Sequence, residues 1–363
     1  AERELQIRQQ TIDRSVTPTA FGDKQFNFAY VNQAFLDLFG FESADQVVGM
    51  PNTMFEADPV SVSQVNEALT NTGSWTGEST TRKLDGTPIE VVLNASLIRD
   101  DEGDPVYSIG TFWDVTDRNL ALRQAAERSQ QQAAVAKLGL AALKDVSIDV
   151  LIDQAVTELA SILRVDCCKV LELIEPGDEL LLRSGVGWQD GLVGHAHVPA
   201  EYGSQAGYTL HHNAPVIVED LPNENRFQGP DLLLNHKVIS GISVVIHGSK
   251  RAFGVLGVHT CKKRLFNEDE VNFVQAAANV LADAIQRDEA EKQLLTAQEE
   301  LQVSEAKFRY IVETTQEWIW EMDSEGMHTY SNPAIESILG YTVDEVVGKS
   351  CLPLMLEEDQ EEN

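Results

Sequence analysis

The chain has 363 residues, of which 43% are hydrophobic, and a formal net charge of −31. This length suggests two or three domains with packed cores, and the acidic excess argues against nucleic-acid binding, which depends on clustered lysine and arginine. Four cysteines are too few for a disulfide framework and no apolar run approaches the about 20 residues of a membrane span, so we expect a cytoplasmic protein without direct membrane contact.

The first block, residues 1–117, alternates short strand patterns with turns. An aromatic and β-branched run predicts a strand over Phe26–Val31, and an amphipathic pattern predicts a short helix over Gln33–Phe39 that ends at Gly40. Asp85–Gly86 supplies the tight turn of one hairpin, and a second hairpin follows it. These patterns predict an antiparallel sheet with helices on one side, which is an α+β fold.

The pattern changes to helix at Thr116. Small and apolar residues then follow one another at alternating spacings of four and three: Leu122, Ala126, Ser129, Ala133, Ala136, Leu140 and Leu143. Such a heptad stripe is typical of a helix pair, and a stripe rich in alanine and serine buries little apolar area. The spacing predicts a dimer seam along a linker at 118–147, and it also fits the first helix of the next domain.

The middle block, residues 148–287, is predicted to be a second α+β sheet domain. Its clearest strands are Ser240–Ile246 and Phe253–His259, and its closing helix is Asp269–Ala284. A histidine at the end of a strand is commonly hydrogen-bonded, so we expect His259 to be an ordinary structural residue.

A second linker at 288–307 precedes the last block, residues 308–363. The linker and the start of the last block show the same heptad spacing at Ala290, Leu294, Ala297, Leu301, Ser304 and Phe308. The last block repeats landmarks of the first, since Tyr330, Asn332, Gly340 and Gly348 echo Tyr30, Asn32, Gly40 and Gly49. The block stops about where the middle of such a domain would lie, so we expect the amino-terminal half of a second copy.

The residues of all three blocks resemble known sensor families. The first block resembles a PAS domain at Tyr30, Asn32, Phe35, Gly40, Gly49, Trp75, Gly77, Glu78, Asp85, Gly86 and Asp114 to Arg118, and the last block resembles half of another. The middle block is similar to a GAF domain at Gly185 to Trp188, Ser204 to Tyr208, Arg226, Phe227 and Phe253 to Val258. The resemblance implies antiparallel-sheet PAS and GAF domains connected by long coiled-coil helices, typical of bacterial signalling proteins.

PAS and GAF domains of several kinds bind cofactors. The residues present here argue against most of those cofactors. Flavin photoreceptor PAS domains need a reactive cysteine and haem PAS domains a histidine, and residues 1–117 contain neither. A covalent bilin in a GAF domain needs a cysteine just before the strand at Ser240, and residues 229–236 have none. The cofactor is therefore unknown, and a non-covalent bilin stays open. No cysteines stand at structural-zinc spacing beside the histidines, so no metal site is expected.

Two sets of residues are candidates for function. In the PAS family the matching Asp, Thr and basic residue after the last strand couple the sheet to the output helix, which implies a signal-coupling role for Asp114, Thr116, Asp117 and Arg118. A simple helix N-cap is the alternative for these four residues. In the middle domain we expect a small-molecule pocket lined by Trp188, Tyr208 and Phe227, although aromatic residues suit an ordinary core equally well.

These inferences lead to one hypothesis and two alternatives. We expect the sensory region of a cytoplasmic sensor histidine kinase, without a catalytic motif of its own, that relays binding of a small molecule or partner in a PAS or GAF domain. Its linker helices would form a homodimer whose register shifts with the signal. The alternatives are the sensor region of a diguanylate cyclase or phosphodiesterase, or a dimerisation scaffold that binds no ligand.

Overall fold

The computed structural model describes residues 2–55, 59–144, 146–174 and 176–354. The chain has an α+β fold that divides into two compact units, residues 1–131 and 132–363, each described by itself. In the described residues no helix combines the length and apolar character that crossing a membrane requires.

The first unit is built on one antiparallel sheet. Its elements are α1 (Glu2–Asp13), β1 (Thr19–Gly22), β2 (Phe28–Val31), α2 (Gln33–Phe39), α3 (Pro59–Thr72), β3 (Ser74–Arg82), β4 (Pro88–Arg99), β5 (Pro105–Asp114) and the first part of α4 (Thr116–Ala142). The strand order is β2-β1-β5-β4-β3. The predicted strand at Phe26 starts two residues later, because Phe26 has a φ of 62° and lies in the turn before β2.

Asn32 fastens the elements at the start of this sheet. Its Oδ1 caps α2 and also accepts a hydrogen bond from the backbone N of Thr19 at 2.9 Å. Its Nδ2 donates to the carbonyl oxygens of Ile12 at 3.1 Å and Thr17 at 3.0 Å. Because Ile12 lies in the last turn of α1, one buried amide joins the incoming helix to β1 and α2.

The second unit contains a six-stranded sheet and the start of another. After the rest of α4, its elements are α5 (Ile148–Leu163), β6 (Cys167–Ile174), β7 (Glu179–Val186), β8 (His197–Pro199), α6 (Gln205–His212), β9 (Val216–Val218), α7 (Asp231–Asn235), β10 (Ser240–His247), β11 (Ala252–Thr260), α8 (Glu268–Thr314), β12 (Trp320–Met322), β13 (His328–Ser331), α9 (Ala334–Ile338) and α10 (Val343–Val346). The larger sheet has the order β8-β7-β6-β11-β10-β9.

Helices cover both faces of the six-stranded sheet. On one face α5 and α8 form the main apolar core, which Ala134 and Leu138 of α4 also join. On the other face α6 and α7 cover a second interior. Side chains on both faces of the central strands are therefore buried. The second interior also contains polar side chains, among them Lys169 and His259.

The predicted closing helix and the second linker are parts of one helix. The 47 residues of α8 run from Glu268 to Thr314 without a break, so the closing helix predicted at Asp269–Ala284 is longer than its pattern indicated and continues through the predicted linker at 288–307. The helix begins at a capping box in which Asn267 Oδ1 accepts from the backbone N of Glu270, while Glu270 Oε2 accepts from the backbone N of Asn267.

The end of α8 is joined to the second copy of the repeat by the same kind of hydrogen bonds that join α1 to the first sheet. Asn332 Oδ1 accepts from the backbone N of Ile319 at 2.9 Å. Its Nδ2 donates to the carbonyl oxygens of Val312 at 2.8 Å and Glu317 at 2.9 Å. Each partner stands three hundred positions after a partner of Asn32, so the repeat found in the sequence is a repeat of hydrogen bonding.

Candidate functional site

The junction between β5 and α4 contains the first set of predicted residues. Asp114 Oδ1 accepts a hydrogen bond from the backbone N of Thr116 at 2.9 Å. Thr116 Oγ1 accepts from the backbone N of Glu90 at 2.9 Å, and the backbone N of Val115 donates to the Glu90 carbonyl at 2.9 Å. The start of α4 is therefore hydrogen-bonded to β4, which a simple N-cap does not require.

The carboxylate of Glu90 adds a second connection to the same helix. Its Oε2 accepts from Asn119 Nδ2 at 2.8 Å, and its Oε1 lies 2.5 Å from Arg123 Nη2. The hydrogen bond from Asn119, followed by that from Arg123, holds the pKa of Glu90 below its ordinary value. Because Asn119 and Arg123 stand four residues apart on one helix face, Glu90 holds the first two turns of α4 to β4.

The other two predicted coupling residues make weaker connections. Arg118 Nη2 lies 3.3 Å from Glu78 Oε1, with 61% and 58% of the two side chains exposed, and such exposed pairs contribute little stability. Asp117 is exposed in the first turn of α4, where its charge favours the helix dipole. Sequence reasoning missed Glu90, Asn119 and Arg123. The spacing of the last two was visible, but their partner on a distant strand was not.

The first domain encloses a small cavity. It has a volume of about 90 Å³, five phenylalanines in its wall (Phe26, Phe28, Phe39, Phe55 and Phe112) and four polar residues (Asn52, Ser79, Thr81 and Ser108). Thr81 Oγ1 already donates to the Phe55 carbonyl, and Asn52 exchanges hydrogen bonds with Asn66. A dry cavity of about 150 Å³ holds benzene, so this cavity fits an apolar molecule of only a few heavy atoms.

The three aromatic residues predicted for the middle domain meet at one apolar cluster under α6 and α7. Phe227 is a buried member of this cluster, and Trp188 and Tyr208 pack against it. The rings of Tyr208 and Phe227 have centroids 5.3 Å apart. Trp188 Nε1 donates to the carbonyl of Cys168 at 2.8 Å, which fixes the indole against the sheet. The structure thus brings the three together as parts of a packed interior.

Two buried basic residues beside this cluster were not selected from the sequence. Lys169 on β6 is 2% exposed, and His259 on β11 is 0% exposed. Neither ring nitrogen of His259 has a hydrogen-bond partner, so the expectation of an ordinary, hydrogen-bonded histidine was wrong. Burial, and then the charge of Lys169, lower the pKa of His259 well below its ordinary value. Burial lowers the pKa of Lys169 to about 7.

Two glycines make room for the imidazole of His259. A Cβ added at Gly241 would lie 2.4 Å from His259 Nδ1, and one added at Gly257 would lie 2.8 Å from Nε2. Both distances are too short for real contacts, so the ring lies directly over the two glycines. The Trp188 ring closes the same space, with its centroid 5.5 Å from Lys169 Nζ and 6.1 Å from the His259 ring.

The cysteines and the histidine pairs show no reactive or metal-binding arrangement in the described residues. Burial is the first cause that raises the pKa of Cys167 to about 11, and burial raises that of Cys168 as well. A raised pKa disfavours the nucleophilic thiolate. In the ranges that the structure describes, no three His, Cys, Asp or Glu residues lie close enough to hold a metal ion.

Comparison with protein families identifies three domains in the chain. The sequence model of one PAS domain family matches residues 17–117, that of the GAF domain matches residues 147–285, and that of the PAS fold matches residues 306–363. The predicted order of PAS, GAF and PAS domains is confirmed. The chain therefore has sensory domains of a signalling protein.

One curated relative matches a stretch of this chain that is about as long as a single domain. Blue-light-activated histidine kinase 1 of Erythrobacter litoralis is 32% identical over 109 residues, which are 29% of this chain and 29% of that protein. The chain therefore spans well under half of the relative's length.

Solved structures of isolated domains are also similar. The GAF domain of a phosphoenolpyruvate-protein phosphotransferase from Acinetobacter covers 45% of this chain and 97% of its own, with 21% identity and a TM-score of 0.39. A PAS domain from Colwellia psychrerythraea covers 31% of this chain and 98% of its own, with 25% identity and a TM-score of 0.30.

Proposed function

We propose that the chain is the sensory region of a sensor histidine kinase, in which the first PAS domain passes changes in its sheet to α4. The observation that carries this proposal is the junction at Glu90. Its backbone is hydrogen-bonded to the start of α4, and its carboxylate accepts hydrogen bonds from Asn119 and Arg123 in the first two turns. A movement of β4 caused by occupancy of the cavity would therefore be transmitted directly to the helix.

The name of the curated relative supports a histidine kinase as the output. That protein is a histidine kinase, and it shares 32% identity with this chain over 109 residues. In the proposal a small molecule bound in a PAS or GAF interior shifts a population of helix arrangements, and the kinase responds to that shift. Asp114 and Thr116 belong to the junction. Asp117 contributes only a favourable interaction with the dipole of α4, and Arg118 contributes only an exposed ion pair with Glu78.

Exposed apolar stripes support a homodimer through the linker helices. Leu122 and Leu140 of α4 and Leu294, Leu301 and Phe308 of α8 are all more than half exposed in the single chain. Each lies on a heptad stripe, and charged and amide side chains make up most of the remaining positions of α8 between the GAF domain and Phe308. A second copy of the chain would cover both stripes, which is the usual state of such helices.

The proposal is tested in the full-length protein by Glu90→Gln, Arg123→Gln and the double variant. Both single variants remove the same ion pair, so we expect each to change the rate of autophosphorylation severalfold in the same direction. The double variant should change it no further, because coupled residues are not additive. Glu102→Gln, an exposed change in the β4–β5 turn, is the matched control and should leave the rate unaltered.

Two results would contradict the proposal. If amide exchange in the first two turns of α4 accelerates in Glu90→Gln while autophosphorylation stays at the wild-type rate, the junction is structural only. If the full-length protein converts GTP to cyclic di-GMP and forms no phosphohistidine with ATP, the output is a diguanylate cyclase.

A further inference from the structure

We propose that the interior of the GAF domain binds a small monocarboxylate anion between Lys169 and His259. This inference gives the proposed sensory function a ligand class. It concerns a different domain from the Glu90 junction, so the experiments on the two sites can fail separately.

The two basic groups converge on one point of the sheet. Lys169 pairs with Gly257 in the register of β6 and β11, and His259 lies two residues further along β11 on the same face. A methyl group placed on Gly257 would lie 3.3 Å from Lys169 Cε and 2.8 Å from His259 Nε2. The two side chains therefore lie over the same glycine, and an anion that enters between the ammonium and the imidazole could accept hydrogen bonds from both.

Neither group has the partner that burial normally requires. Within the described part of the chain no carboxylate forms an ion pair with Lys169, and its Nζ lies 5.5 Å from the centroid of the Trp188 ring. Both nitrogens of His259 lack hydrogen bonds. A buried ammonium without a counter-charge and an unsatisfied buried imidazole are each unfavourable, and one anion would relieve both.

The neighbouring residues limit the charge and the size of the ligand. Ser243 of β10 is the cross-strand partner of Gly257. Its Oγ is hydrogen-bonded to Gln205 Nε2 at 3.2 Å and to Thr209 Oγ1 at 2.7 Å. These neutral groups satisfy one another and add no positive charge. One ammonium and one imidazole suit a single negative charge, and the Trp188 ring suits a short apolar tail. A phosphate dianion would lack donors for its remaining oxygens.

Binding should be coupled to proton uptake. With a pKa of about 7, Lys169 is largely neutral above that pH in the free protein, and an adjacent anion favours its charged form. The titratable groups near it are His259 from β11, His236 behind Trp188, the thiol of Cys167 on the same face of its own strand and that of Cys168 on the other face. The affinity for a carboxylate should therefore fall up to tenfold for each pH unit above 7.

The test is calorimetric titration of the whole chain at pH 7 with formate, acetate and pyruvate, and with inorganic phosphate as the contrast. We expect saturable binding of at least one monocarboxylate at one site per chain. Lys169→Met should weaken this binding at least tenfold. Lys262→Met removes an exposed lysine from the same domain and should change the affinity less than twofold.

Folding of the variant is controlled separately. Methionine has a similar volume and no charge to bury, so Lys169→Met should unfold at the wild-type temperature or above. If it unfolds earlier, His259→Gln serves as the second variant and should also lose at least tenfold in affinity. The proposal is overturned if none of the three carboxylates saturates, if phosphate alone binds, or if the affinity is unchanged in Lys169→Met and independent of pH.

Discussion

The buried amine of Lys169 should make the stability of the GAF domain depend on pH between 7 and 9. Its pKa is about 7 in the folded chain, against an ordinary value of 10.5. Between these values the unfolded state binds the proton and the folded state does not, so the free energy of unfolding rises with pH. From pH 7 to pH 9 the gain should be about 2 kcal/mol in a buffer without carboxylates, measured by urea unfolding.

Between pH 7 and pH 8 the other titratable groups of the GAF interior contribute little to this dependence. Burial first, and then Lys169, lower the pKa of His259, so it affects stability only below its ordinary value of 6.5. Burial is the first cause that raises the pKa of Cys167 from 9.0 to about 11, and it raises that of Cys168 as well, so both thiols lower the free energy of unfolding as the pH approaches and passes 9. Lys169→Met should remove the pH dependence and Lys262→Met should keep it. If the free energy of unfolding changed equally with pH in the wild type and in Lys169→Met, the amine of Lys169 would be solvated rather than buried.

Among the helices and strands, the start of α8 depends on one arginine. Arg264 Nη1 donates to the carbonyl of Leu163 at the end of α5 at 2.7 Å, and Nη2 bonds Glu270 Oε1. Glu270 is the residue that completes the capping box with Asn267. Arg264→Met should lower the free energy of unfolding of the GAF domain by about 2 kcal/mol, because it removes the cation paired with the nearly buried carboxylate of Glu270 and the donor to the Leu163 carbonyl.

The controls for this change separate charge from geometry. Arg264→Lys keeps the charge but replaces the two separate guanidinium nitrogens by one ammonium nitrogen, which cannot occupy both donor positions, so it should recover less than half of the loss. Lys263→Met removes the neighbouring, mostly exposed cation and should change stability by under about 0.5 kcal/mol. Full recovery in Arg264→Lys, measured by the same urea unfolding, would mean that the fork of the guanidinium is unimportant.

Most elements could be predicted from local patterns, because their causes are local. The helix Gln33–Phe39 has the predicted bounds, since Asn32 caps it and Gly40 ends it with a φ of 80°. The strand predicted from Phe26 starts late because a turn conformation at Phe26 leaves no mark in hydrophobicity. The sequence predicts two helical segments where the structure has α8, because the pattern changes from buried to exposed residues within the helix. The backbone continues through that change without a break.

The interior of the GAF domain was harder to predict, because helices cover both faces of its sheet. In a sheet with one wet face, a strand lysine is expected to point to solvent. Here the alternation assigns Lys169 and His259 to a second interior, and only the packing of α6 and α7 shows this. The aromatic candidates were visible by residue type, whereas the unpartnered basic groups depend on contacts between strands far apart in sequence.

At the scale of the whole molecule, one arrangement recurs where a helix enters a PAS sheet. Asn32 joins α1 to its sheet, and Asn332 joins α8 to the next, with the same three kinds of hydrogen bond. The helix that enters the second PAS domain is therefore the helix that closes the GAF domain. A change in the GAF core would reach the second PAS domain along a continuous backbone, without a loop to absorb it.

That route needs a fixed helix partner, and we expect two chains to pair in parallel along α8. Leu301 and its stripe are exposed in the single chain, while Gln302 lies outside the stripe, about 100° further around the helix. The whole chain should sediment as a dimer at micromolar concentration. Leu301→Glu places two like charges in the seam and should shift the equilibrium toward monomer at least tenfold, whereas Gln302→Glu adds the same charge outside it and should have little effect.

The direction of pairing distinguishes a signalling helix pair from a chance association. In a parallel, in-register pair both copies of position 297 meet at the seam, so Ala297→Cys should form an intermolecular disulfide on mild oxidation. Gln302→Cys should form far less, because position 302 points away from the partner. An antiparallel pair would place the two cysteines apart unless its centre fell at that residue. A monomer at micromolar concentration, or equal cross-linking at 297 and 302, would remove the basis for a signal carried by helix register along α8.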